Sequence, residues 1–88
     1  MNCNLHRSLE EKVTILCISK NENTQTKVII YNSNMNEIRL VSNKFMNAGE
    51  HLIEWDKKDE SGDLVPDGFY YSKIINGNYI SEPRLIII

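Results

Sequence analysis

Apolar residues along the chain fall in short blocks rich in β-branched side chains, set apart by clusters of Asn, Ser, Gly and charged residues. Val13-Thr14-Ile15-Leu16-Cys17-Ile18 predicts a first strand and Lys27-Val28-Ile29-Ile30-Tyr31 a second, with Ser19 to Gln25 giving the chain room to turn. The cluster Asn32, Ser33, Asn34 and Asn36 predicts a tight turn, because Asn tolerates positive φ and bonds its own backbone. Glu37-Ile38-Arg39-Leu40-Val41 then alternates polar and apolar residues up to Val41, as a strand with one wet face does. Ala48-Gly49 leads into His51-Leu52-Ile53-Glu54-Trp55. Asp56 to Asp67 is an acidic loop containing Gly62 and Pro66, after which Gly68 opens the strand Phe69 to Ile75. Asn76-Gly77 is read as the centre of a type I′ hairpin, a turn that needs positive φ at both central positions. The last strand covers Tyr79-Ile80 and Arg84 to Ile88, split by Pro83, which cannot donate to a ladder and belongs at an edge or a bulge. Its end, Leu85 to Ile88, is apolar throughout and reads as a strand buried on both faces or pinned against the rest of the fold.

Six or seven short strands with a turn signal after each describe an all-β antiparallel sandwich. Residue usage agrees: twelve Ile, four Val and three Thr stand against a single alanine, Ala48, and stiff β-branched side chains favour the pleated strand where Ala favours the helix. At 88 residues folding buries roughly 60–65% of the unfolded chain's surface, enough for one small core. The expected organisation is a polar tail over residues 1–12 and a single domain over residues 13–88. In the tail Ser8 and Glu11 have capping-box spacing, but no apolar helical period follows them.

Composition narrows the function classes. With 41% apolar and 25% charged residues the chain is neither disordered, collagen-like nor coiled-coil. The net charge of −2 and the absence of a basic stripe leave no footprint for nucleic acid. The apolar run Leu85 to Ile88 is far shorter than the ~20 residues of a membrane span, and Met1 to Arg7 lacks the apolar stretch of a signal peptide.

Candidate chemistry is thin. Cys3 lies in the polar terminus and Cys17 in an apolar strand, so the pair reads as two free thiols, with one Cys3–Cys17 disulfide as the alternative. Asp56, Asp59, Glu60, Asp63 and Asp67 place five carboxylates in one loop, which raises calcium, yet the alternating Asp-x-Asp-x-Asp-Gly order of an EF-hand is missing. His51 shares a strand face with Ile53 and Trp55 and reads as a partly buried, hydrogen-bonded histidine, while His6 lies in the tail. Two Cys and two His at unrelated spacings do not make a zinc site. No Gly-x-Ser-x-Gly, no Cys–His arrangement with an orienting group and no phosphate loop occurs, so neither an enzyme nor a cofactor is expected.

The ordered set Ala48, Gly49, Trp55, Asp56, Asp59, Gly62, Val65, Gly68 and Tyr70 resembles the immunoglobulin-like domain of the flagellar hook-capping protein FlgD, shared with C-terminal domains of many exported bacterial proteins. Upstream, Val28-Ile29-Ile30-Tyr31-Asn32 is similar to the family's strand ending in Tyr-Asp, and Arg84 to Ile88 to its basic and apolar final strand, so the resemblance runs from about Val13 to Ile88. It implies an immunoglobulin- or fibronectin-III-like sandwich. Two positions depart from the pattern: Met35 stands where the family has Gly in the first hairpin turn, and Lys57 where it often has Gly after Trp-Asp. With Met35 in place, a neighbouring Asn is expected to take the left-handed conformation, or the turn to change type.

The resemblance implies that Trp55, Asp56, Asp59, Gly62, Gly68 and Tyr70 form a structural loop clamp, with the carboxylates accepting loop N–H groups and the indole N–H finding a partner. It also implies that Tyr70 points inward, which puts Phe69 and Tyr71 outward as an aromatic stripe that either pairs across strands or serves as an interaction face. The function expected is a non-catalytic structural or protein-interaction module, its partner another protein or the rest of a larger chain, in an exported or cell-surface setting. The alternatives are a type IX secretion sorting domain and an accessory carbohydrate-binding module.

Overall fold

Strict alternation builds the first and fourth strands. The computed structural model describes residues 12–88; the tail residues through Glu11, with Cys3, His6 and the Ser8/Glu11 spacing, lie outside the described residues. In β1 (Val13–Ser19) Ile15, Cys17 and Ser19 are buried while Thr14, Leu16 and Ile18 face solvent. In β4 (Gly49–Trp55) Ile53 and Trp55 are buried between exposed Leu52 and Glu54. The two pair antiparallel from Val13↔Trp55 to Ser19↔Gly49 and make a two-stranded sheet.

The second sheet contains β2 (Thr24–Tyr31), β3 (Glu37–Met46), β5 (Phe69–Asn76), β6 (Tyr79–Ile80) and β7 (Arg84–Ile87), all antiparallel. The order is β3-β2-β5, and β6 and β7 share the remaining edge of β5. They act as one edge strand interrupted at Ser81 to Pro83, the place expected of a residue that cannot donate. Between the sheets Ile15, Cys17, Ile53 and Trp55 meet Val28, Ile30, Met46 and Tyr70, with Ile38, Val41, Val65, Ile74, Ile86 and Ile88 at the margin. Full burial of such side chains contributes roughly 1.5–3 kcal/mol each.

Four features depart from the pattern along the chain. β3 runs on past Val41 to Met46. Ser42 to Phe45 carry little apolar signal, but β3 is an edge strand that pairs with β2 down to Thr24↔Met46, and Met46 returns to the core at 2% exposure. Register shifts between Val28 and Ile29 and between Ile30 and Tyr31 leave Val41 and Ile38 as extra residues, which turn onto the core margin.

The β5–β6 hairpin exists but is displaced by one residue. Asn76 pairs with Tyr79, so Gly77 and Asn78 are the central residues. Gly77 has φ +62 and Asn78 is not among the positive-φ residues, which is the type II′ pattern rather than type I′. Asn76 is held in the ladder by its side chain. Only 3% exposed, it donates to Ser19 Oγ at 3.1 Å and Thr26 Oγ1 at 2.7 Å and accepts from Lys20 N at 3.2 Å, joining the two sheets. A buried amide so satisfied is worth more in the ladder than in the turn.

In the β2–β3 turn the left-handed residue is Met35 itself, φ +65, not a neighbouring Asn. Its N–H is bound by Asn32 O at 2.8 Å, and Asn32 Oδ1 holds the amides of Asn34 and Asn36, so the Asn residues are used as acceptors. Finally, the terminal apolar run is buried on one face only: Leu85 and Ile87 are exposed while Ile86 and Ile88 are half-buried. β7 alternates because it lies at a sheet edge over a core that has only one side.

Cys17 is a free, fully buried thiol whose Sγ lies 3.9 Å from Met46 Sδ, and burial pushes its pKa up. His51 is half-buried, with Nε2 donating to Asn47 O at 2.7 Å.

Candidate functional site

Two regions carry the residues singled out from the chain: the acidic loop between β4 and β5, and the outer face of the larger sheet. The loop starts from Trp55, fully buried, whose Nε1 donates to Lys58 O at 2.9 Å and whose ring meets Tyr70 edge-on, centroids 5.7 Å apart. Tyr70 in turn donates its hydroxyl to Pro66 O at 2.5 Å, four residues upstream, in the manner of a tyrosine corner. Burial, and then the negative charge of Asp67, push the Tyr70 pKa up.

The carboxylates are spent on backbone. Asp56 Oδ1 accepts from Lys58 N at 3.2 Å. Asp59 Oδ1 accepts from Ser61 N at 2.9 Å and Asp63 N at 3.1 Å. Glu60 Oε2 accepts from Leu40 N at 2.7 Å, while Glu60 N donates to Ile38 O, which fastens the loop to β3. Gly62 takes φ +89 where the chain turns within this cap, and Gly68 exchanges both backbone bonds with Ile88, at 2.8 and 3.0 Å. Lys57, the second departure from the family pattern, has φ +64 and its carbonyl accepts from Val65 N, so the backbone keeps the glycine-like conformation with a lysine in place. Among the described residues no group of three His, Cys, Asp or Glu is placed to hold a metal ion.

Arg39 was not singled out by the pattern, yet it organises this loop. Its Nη1 lies 3.1 Å from Asp56 Oδ1, 2.9 Å from Lys58 O and 3.4 Å from Asp59 O. The ion pair is partly exposed, so the charge attraction alone contributes at most about 1 kcal/mol. Its value is in satisfying carbonyls that have left the ladder. In the sequence Arg39 is one polar residue of an alternating strand, and nothing local ties it to residues 56–59.

On the outer face the register brings the exposed apolar residues together. Phe69 pairs with Ile87, and Tyr71 lies between Leu85 on one side and Tyr31 on the other. Phe69 is 57% exposed, Leu85 55% and Ile87 66%. Tyr71 and Tyr31 are half-buried, and the Lys73 ammonium sits 5.2 Å from the Tyr31 ring centre. Behind them Ile29, paired with Leu40 and Lys73, is only 6% exposed although it is not part of the central core.

Two facing antiparallel sheets closed by a buried Trp and a Tyr anchored to the preceding loop define an immunoglobulin-like β-sandwich. A family model described as the FlgD Ig-like domain matches residues 8–78, and the chain belongs to that family. The match spans β1 to β5 and stops before β6 and β7. No curated protein matches the sequence. At the level of the family this is a structural or interaction module of a non-catalytic kind. No helix among the described residues is long and apolar enough to cross a membrane.

Proposed function

We propose that residues 13–88 form one non-catalytic interaction module that docks a partner protein on the outer face of its larger sheet, around Phe69 and Tyr71. The carrying observation is the adjacency of Phe69, Ile87 and Leu85, each more than half exposed and placed side by side by the β5–β7 register. Soluble domains seldom leave contiguous apolar surface uncovered unless something binds there, and aromatic residues give large contact area at low entropic cost. The loop clamp of Trp55, Asp56, Asp59, Gly62, Gly68 and Tyr70 serves this face from behind. It sets the start of β5 through the Tyr70 anchor and the end of β7 through the Gly68–Ile88 pair.

The test compares Phe69→Ser and Ile87→Ser with Leu16→Ser and Leu52→Ser, which alter exposed apolar positions on the opposite sheet. Association with a purified partner is expected to be lost in the first pair and kept in the second, with all four variants folded. Association indifferent to Phe69 and Ile87 overturns the reading. Delivery of a fused cargo to the cell surface that needs the domain but neither of those residues supports the sorting alternative in its place.

A further inference from the structure

Among the described residues the two sheets are unequal: two strands face five. β1 pairs only with β4, and among the described residues no other backbone bond reaches Val13 to Ser19. In an antiparallel pair alternate residues direct N–H and C=O away from the partner, so among the described residues the far edge of β1 carries a row of backbone groups with no strand beside it. Along that edge runs a cleft of about 360 Å³, bounded by Val13 to Leu16 on one side and by Ser72, Ile74, Tyr79, Ser81, Glu82 and Arg84 to Ile86 on the other. Its floor includes Ile15, Ile74 and Ile86, of which the last two are only half-buried.

The walls differ in chemistry. On the far wall Ser81 is already committed: its N–H donates to Ile74 O, its hydroxyl accepts from Ile74 N and donates to Glu82 O. Open backbone hydrogen-bonding capacity, spaced as a strand spaces it, remains on the outer edge of β1 and, across the cleft, on that of β7, which among the described residues pairs only with β5. The smaller sheet, two strands against five, is the one with room for a further strand over the cleft. A regular row of alternating backbone donors and acceptors is matched by another extended backbone. The volume lies at the low end of the roughly 300–1,000 Å³ of small-molecule pockets, and it suits the inward side chains of a strand. Glu82 and Arg84 at the rim are of opposite charge, so the site favours no net charge in its occupant.

We infer that the β1 edge accepts an extended segment of another protein chain, apolar at every second residue, which adds a third strand to the smaller sheet and closes the sandwich over Ile74 and Ile86. A lone strand fits where a second copy of this domain does not. β6 and β7 carry the larger sheet past β1, and a partner bringing its own second layer would meet that overhang. The cleft shares Leu85 with the Phe69 face but neither Phe69 nor Ile87 lines it, so Phe69→Ser and Ile87→Ser test that face alone and the two readings fail independently.

The probe is a blocked, uncharged heptapeptide, Thr-Ile-Thr-Val-Thr-Ile-Gln, titrated into the ¹⁵N-labelled full chain, with a control peptide carrying Pro in place of Val. Saturable shifts are expected at Val13, Thr14, Ile15, Leu16, Ile74 and Ile86. Amide exchange along β1 is expected to slow about tenfold at a peptide concentration near ten times its Kd, and the Pro peptide is expected to do neither. No shift at about 2 mM peptide, enough to reveal binding with a Kd of about 1 mM, overturns the inference. So do equal shifts with the Pro peptide, or shifts confined to Phe69 and Ile87. Concentration-dependent shifts of β1 without peptide would make a second copy the occupant and overturn it as well.

Discussion

The turn at Asn32–Asn36 and the turn at Asp59–Asp63 are the same five-residue motif built twice. In each the first residue's side-chain oxygen accepts from the amides two and four positions on: Asn32 from Asn34 and Asn36, Asp59 from Ser61 and Asp63. In each its carbonyl accepts from the fourth residue, Met35 or Gly62, and its own N–H donates to the carbonyl of the fifth. The fourth residue has positive φ in both, +65 for Met35 and +89 for Gly62. The difference lies in what surrounds the motif. The Asn32 turn stands alone at the tip of a hairpin with Met35 exposed, whereas the Asp59 turn is nested in a loop tied to Arg39, to β3 and to the Trp55 indole. A local hydrogen-bond set can thus hold an unfavourable backbone conformation by itself, and the additional ties around Asp59 connect that turn to the core.

The largest effect is expected where the nested turn loses its support. Trp55→Ala removes a fully buried ring, the Lys58 carbonyl's indole donor and the contact with Tyr70, and should destabilise by about 3–5 kcal/mol in denaturant unfolding. That is much of the total for a domain of this size. Survival of most of the stability would mean that the loop does not depend on the core.

Next come the two acceptors compared directly. Asp59→Ala orphans two loop amides and should cost about 1–3 kcal/mol, while Asn32→Ala, at a solvated hairpin tip, should cost about 0.5–1.5 kcal/mol. Equal losses would show that the ties to Arg39 and β3 add nothing to the motif.

The left-handed residue gives a smaller, opposite-signed pair. A Cβ at Gly62 meets nothing within 4 Å, so Gly62→Ala pays only for its conformation, about 1 kcal/mol. Met35→Gly should stabilise by about 0.5 kcal/mol, because the relief of a left-handed non-Gly residue is partly offset by the larger entropy of Gly in the unfolded chain. The expected rise in Tm is about 2–4 °C. A fall in Tm would mean that the Met35 side chain makes a contact of value, although it is 41% exposed.

The smallest effect is expected from calcium. Asp56, Asp59 and Glu60 already accept backbone or guanidinium N–H groups, so millimolar calcium and a chelator should leave Tm where it is. A clear rise with calcium would indicate that the loop can rearrange its carboxylates around a cation.

Strand identity was legible in the chain because period-two alternation, β-branched side chains and Asn/Gly/Pro punctuation act locally. β1, β2, β4 and β5 therefore lie where their apolar residues place them, and Pro83 splits the edge strand as its missing donor requires. The bonds that Asp56 and Asp59 accept from loop amides follow from a local preference, that of Asp for capping such groups. What tertiary structure alone decided is pairing between distant residues. Arg39 reaches a loop some twenty positions away, and β3 extends to Met46 because β2 offers it a partner. Asn76 leaves the turn for the ladder because Ser19 and Thr26 meet its amide across the two sheets. The left-handed backbone at Met35 and Lys57 belongs to the same class: side-chain type alone disfavours it, and hydrogen bonds to Asn32 O and from Val65 N hold it in place. Local preferences are a few tenths to about one kcal/mol per residue, and a buried or loop-closing hydrogen bond of about 1 kcal/mol or more outweighs them only once the fold has brought its partners together.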